Sequence, residues 1–122
     1  MLATHHLKAF LPTTDPARSL AFFRDKLGLK LLSEDDYALE FDAGACHLRV
    51  TAVQKLTPQP FTVLGWDVKN IEDIIKTLAQ KGVVFERYSF AQQDELGIWV
   101  APGGTKVAWF KDPDGNVLSL SE

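Results

Sequence analysis

Residues Thr105–Leu120 read TKVAWFKDPDGNVLSL. Two alternating runs, Lys106–Lys111 and Val117–Leu120, flank the five residues Asp112-Pro113-Asp114-Gly115-Asn116. Alternation at period two predicts strands, and the central residues predict the turn that joins them. Proline presets one backbone angle, glycine supplies a positive one, and Asp and Asn side chains bond nearby amides. The two aspartates could be taken for catalytic acids, but turn chemistry accounts for them without any reaction.

Moving back along the chain, Pro102-Gly103-Gly104 marks another turn, preceded by strand-like Gly97–Ala101 and Val84–Tyr88. Gly103-Gly104 leads into a strand rather than a helix, so it is no phosphate loop. A helix is predicted before these strands. Asn70 is its N-cap, Ile71, Ile74, Ile75 and Leu78 form one apolar stripe, and Gly82 closes it. Glu72 and Asp73 place negative charge at its positive end. Phe61–Val68, before that helix, has the pattern of a strand.

The first half repeats this plan. Strand-like Leu7–Thr13 leads to a helix capped by Asp15, with Pro16 at its first position. Leu20, Phe23 and Leu27 are its predicted buried stripe, and Gly28 its stop. Short runs follow at Lys30–Leu32, Tyr37–Phe41 and His47–Thr51. The two N-caps lie 55 residues apart and the two closing glycines 54. A period of that length is the mark of a duplicated strand–helix–strands unit. Lys55–Pro60, with two prolines, is the joint between the copies.

Composition narrows the partners. A net charge of −3 argues against a nucleic-acid phosphate backbone as ligand. The single cysteine, Cys46, cannot form an internal disulfide. No apolar run approaches the ~20 residues that span a bilayer, and Met1–Phe10 lacks a signal-peptide core. A soluble, cytoplasmic protein with no nucleic-acid or membrane partner is expected.

Two stretches carry a family resemblance: the hairpin just quoted, with its DPDGN turn, and DPARSLAFFRDKLGL at Asp15–Leu29. Both resemble the vicinal-oxygen-chelate superfamily of glyoxalases, bleomycin-resistance proteins and extradiol dioxygenases. The resemblance implies an α+β fold. Two βαβββ modules, residues 1–56 and 57–122 of one domain, would form a curved mixed sheet, a cup with the helices on its outer face. It also implies a homodimer. Metal-dependent members draw ligands from the first and last strands of each module. Carried over position by position, those sites fall on Lys8, Arg49, Val63 and Ser119. Lysine and arginine are cationic donors, valine has no lone pair, and serine is a weak neutral oxygen, so no divalent-metal cage is expected. No cofactor is expected either.

The ligand-binding set expected in the cup is Lys8, Phe10, His47, Arg49, Trp99, Trp109 and Ser119. Lys8 and Arg49 would grip an anionic group, and Phe10 with Trp99 or Trp109 would wall an aromatic ligand. The plainer alternatives are that the two cations pair with Asp67 or Glu86 or lie in a dimer interface, and that the tryptophans are core. Trp66 shares the parity of Leu64 and Val68 and is expected under the second helix. Cys46 and His47 should point to opposite faces, leaving the thiol buried. His6 and His47 could form a relocated metal pair, with Glu40 as third ligand, although solvated strand-end histidines are the ordinary case. Three functions follow. The first is metal-free binding or sequestration of a small molecule, in the manner of bleomycin resistance. The second is a lyase, isomerase or dioxygenase using a metal near His6 and His47. The third is a pocket-free subunit that pairs with another protein.

Overall fold

A computed structural model describes residues 1–122. The chain divides into two compact units, Met1–Thr57 and Pro58–Glu122, each built on one four-stranded mixed sheet. The architecture is α+β, with two βαβββ modules. No helix is long and apolar enough to cross a membrane.

In the first unit, β1 (Lys8–Thr13) is followed by α1 (Pro16–Leu20), then β2 (Lys30–Glu34), β3 (Ala38–Asp42) and β4 (His47–Ala52). The strand order is β1-β4-β3-β2, with β1 and β4 parallel and the other neighbours antiparallel. Period-two alternation sorts the side chains into two faces. Leu11, Leu39, Phe41, Leu48 and Val50 are buried on the side that α1 covers. Lys8, Phe10, Glu40, Asp42, His47 and Arg49 take the other side.

The first helix starts as its sequence dictates: the Asp15 carboxylate accepts the Arg18 N–H, with Pro16 at the first position. Its buried stripe differs from the expected one. Ser19, Phe22 and Phe23 are buried, whereas Leu20 and Leu27 are only half covered. For Leu27 the cause is a π-helical turn over Ala21–Lys26, with Leu27 N–H bonding the Phe22 carbonyl; Ser19 and Leu20 precede that turn. A wider turn shifts the phase of everything after it. Buried Ser19 is satisfied by donating to the Thr13 hydroxyl at 2.7 Å.

The second unit runs β5 (Thr62–Asp67), α2 (Ile71–Gln80), β6 (Trp99–Val100), β7 (Lys106–Lys111) and β8 (Val117–Ser121). Its order, β5-β8-β7-β6, repeats the first, again with the outer strand parallel to the last. Ile71, Ile75 and Leu78 are buried, as are Ala108, Phe110, Leu118 and Leu120 from the sheet. Truncating a ring such as Phe110 in this core would cost about 3–5 kcal/mol. Trp66 stacks on Phe110 on this core side, ring centres 6.5 Å apart.

One expectation fails here and a second holds only in position. Val84–Tyr88 forms no ladder; a single bridge, Phe85 to Phe110, is its only strand-like pairing. The segment is tied instead into a loop by Gln93, as described below. Asn70 is the N-cap residue of α2 as expected, but in a left-handed conformation and with no capping hydrogen bond from its side chain. Glu122 caps the helix: its two carboxylate oxygens accept the Asn70 and Ile71 N–H groups at 2.9 and 3.0 Å.

The hairpin turn behaves as its residues require. Asp112 is buried; its Oδ1 accepts the N–H groups of Asp114 and Asn116, and its Oδ2 accepts the Asn116 amide. Gly115 adopts φ +89, and a Cβ there would press on Pro58 at 3.1 Å.

Candidate functional site

The sheet faces turned away from the cores carry the polar and aromatic groups of interest. In the first unit, the register sets Lys8 opposite His47, Phe10 opposite Arg49, and Arg49 opposite Glu40. Glu40 is the hub. Its carboxylate accepts Lys8 Nζ at 2.8 Å and has His47 Nδ1 at 3.5 Å and Arg49 Nη1 at 3.8 Å. The Lys8 ammonium foremost, with His47 and Arg49, holds the Glu40 carboxyl below its ordinary value, against a smaller opposing effect of burial.

This arrangement corrects two expectations. Lys8 and Arg49 pair with Glu40, not with Asp67 or Glu86; Glu86 instead meets Lys111 at 3.3 Å. Glu40, the suggested third metal ligand, is the counter-ion of these cations. Phe10 lies beside them and is 63% exposed.

A hollow of about 340 Å3 opens at the end of this sheet, lined by His6, Leu7, Lys8, Asp42, Gly44, Ala45, Cys46 and His47. Cys46 and His47 thus border the same space rather than opposite faces. Cys46 sits in the turn before β4, where strand alternation has not begun, and its thiol is only half covered.

In the second unit, cross-strand pairing sets Trp109 opposite Ser119, and Ser119 opposite Gly65. Trp99 lies one strand over, opposite Val107, and stacks diagonally on Trp109 with ring centres 5.9 Å apart and planes 28° from parallel. Both tryptophans stand on the face away from Phe110 and Leu118, half exposed rather than core. Gly65 permits this face its shape, since a Cβ at residue 65 would fall 2.4 Å from Ser119 Oγ.

Two further rings join them. Tyr88 packs edge-on against Trp109 at 5.4 Å, and Phe90 meets Trp99, Trp109 and Tyr88 at 6.3, 5.9 and 5.5 Å. Burial, then the nearby Glu86 carboxylate, raise the Tyr88 phenol above its ordinary 10.0. Tyr88 and Phe90 were not among the expected site residues. Their sequence signal is weak: two rings at i and i+2 in an otherwise polar stretch.

A profile of the Glyoxalase/Bleomycin resistance protein/Dioxygenase superfamily matches residues 4–120. The chain belongs to this superfamily. Among its structural neighbours is a bleomycin-binding protein complexed with bleomycin, 20% identical, with a TM-score of 0.77 and 98% of each chain covered. A superfamily member from Sphaerobacter thermophilus is also 20% identical, with a TM-score of 0.77, covering 100% of this chain and 99% of that one. The lactoylglutathione lyase from Agrobacterium tumefaciens is 16% identical, with a TM-score of 0.76, covering 98% and 93%. Identities this low speak for the fold alone. No curated protein matches the chain.

The metal that the superfamily implies does not fit these residues. Lys8, Arg49 and Ser119 occupy the open faces of their sheets, and Val63 sits at the irregularity in β5 pairing. Two cations, an alkyl group and a hydroxyl offer no set of hard or borderline donors for a divalent ion. His6, Asp42, Cys46 and His47 border one hollow, yet no three His, Cys, Asp or Glu side chains converge on a point that could hold an ion.

Proposed function

We propose that this chain is a metal-free, small-molecule-binding member of the superfamily, whose ligand is a planar aromatic compound held on the face of Trp99 and Trp109. The observation that carries the reading is the aromatic group itself. Trp99, Trp109, Tyr88 and Phe90 gather on a sheet face opposite the core, where the second unit's own packing does not need them. Flat rings offer large apolar contact and favour stacked or edge-on partners, each ring pair adding about 0.5–1.5 kcal/mol beyond burial. A hydroxyl at Ser119 and the Lys111–Glu86 pair supply the few polar contacts that such a site uses for orientation. The neighbour that carries bleomycin is consistent with this reading.

The first unit's open face is a separate feature. Lys8 and Arg49 already share a carboxylate, so a second anion meets only their partial charge. The protein is further proposed to act as a homodimer, which light scattering on the purified chain would check.

Calorimetric titration with 2-naphthoate tests the reading. Trp109→Ala should weaken binding about tenfold, equal to ~1.4 kcal/mol. Unchanged affinity would remove the tryptophan face from the account. Treating the protein with a chelator should leave binding intact; a stoichiometric, tightly held metal would contradict the metal-free reading.

A further inference from the structure

We infer that Phe90 is a displaceable internal ring that occupies the tryptophan face and sets which ligands reach it. The inference rests on the site proposed above and adds a gating residue to it.

Phe90 combines two properties that rarely coincide. It is 70% exposed, yet its ring contacts three others. It stands edge-on to both tryptophans, at 78° and 70°, and lies flat against Tyr88 at 20°. A flat ligand seeking both indoles therefore meets Phe90 already in place.

The loop that carries Phe90 is held by hydrogen bonds at its base, and Ser89, Phe90 and Gln92 at its tip are exposed. Glu86 N–H bonds the Trp109 carbonyl. The Gln93 amide donates to the Glu86 and Gly97 carbonyls and accepts the Tyr88 N–H. Arg87 donates to the carbonyls of Asp94 and Glu95, and Asp94 Oδ1 accepts the N–H groups of Leu96 and Ile98. Between Tyr88 and Gln93 the chain turns on the Ala91 N–H to Tyr88 carbonyl bond. This geometry lets the ring swing aside while the base stays closed. No core packing is lost, because the ring is mostly in water already.

A protein whose competent state is only fractionally populated binds with affinity reduced by that fraction. Removing the internal ring should lift this reduction. Phe90→Ala is expected to bind 2-naphthoate roughly three- to tenfold more tightly, the scale of one or two ring contacts. Trp109→Ala, measured alongside, should bind it more weakly. Near-UV circular dichroism of Phe90→Ala should retain the coupled Trp99–Trp109 signal, showing that the platform survives. If Trp109→Ala weakens binding while Phe90→Ala leaves it equal or weaker, the gating role is overturned and the platform stands. If Trp109→Ala has no effect, the platform itself falls, and the gate with it.

Discussion

The Glu122 carboxylate accepts the Ile71 N–H at 3.0 Å across fifty-one residues of chain, closing α2 from the end of β8. An acidic side chain here satisfies two orphan N–H groups and faces the positive end of the helix dipole. Those N–H groups, with a smaller contribution from the Lys106 charge, hold the Glu122 carboxyl below its ordinary 4.5. A folded-state value below the unfolded one stabilises above the unfolded value and is lost as pH falls through the folded one. The wild type should therefore lose melting temperature below about pH 4.5 more steeply than Glu122→Gln. The variant should be the less stable at neutral pH, with the two converging in acid. Parallel curves from thermal melts across that range would refute the cap.

Gly65→Ala tests the close approach of β5 to Ser119. Its new methyl would meet the Ser119 hydroxyl oxygen at 2.4 Å, so something must shift. The expected cost is about 1–3 kcal/mol in urea unfolding. Adding Ser119→Ala should recover part of it, because the hydroxyl is gone and the Ser119 Cβ, at 3.7 Å, is in ordinary contact, while the Ser119 carbonyl oxygen stays close at 3.3 Å. Additive losses in the double variant would show that the clash is not the cause.

Asp112→Ala should destabilise by about 1–3 kcal/mol, since it removes the carboxylate that accepts the Asp114 and Asn116 N–H groups and the Asn116 amide inside a buried turn. Binding of 2-naphthoate per folded molecule should not change. Loss of binding at full folding would give the turn a functional role that its geometry does not support.

Much of the architecture was legible because it depends on local chemistry. Asp15-Pro16 announces a helix start, and DPDGN announces a turn, wherever they stand. The family resemblance marked Lys8 and Arg49 as neighbours on one face, and parity added Phe10 and His47, as the register has them; the pairing of Trp109 with Ser119 had no such signal. The misreadings share a different origin. The α2 cap, the Glu40 hub and the Phe90 contact are all made by residues distant in sequence. The phase shift in the first helix comes from a π turn that no residue pattern announces, and Val84–Tyr88 alternates like a strand although Gln93 claims its hydrogen bonds.

Glu40→Gln should convert the first unit's open face into an anion trap. Neutralising the hub leaves Lys8 and Arg49 without their carboxylate. Inorganic phosphate should then bind severalfold more tightly, and the gain should shrink as salt rises. A phosphate titration indifferent to the substitution would mean that these side chains do not act together.

The most direct check of the central claim uses the three tryptophan indole N–H signals in a 15N correlation spectrum. Trp99 and Trp109 lie on the proposed binding face, and Trp66 stacks on Phe110 on the opposite one. Titration with 2-naphthoate should move the Trp99 and Trp109 signals together and leave Trp66 in place. A saturable shift confined to Trp66, or calorimetric binding with neither Trp99 nor Trp109 perturbed, would contradict it.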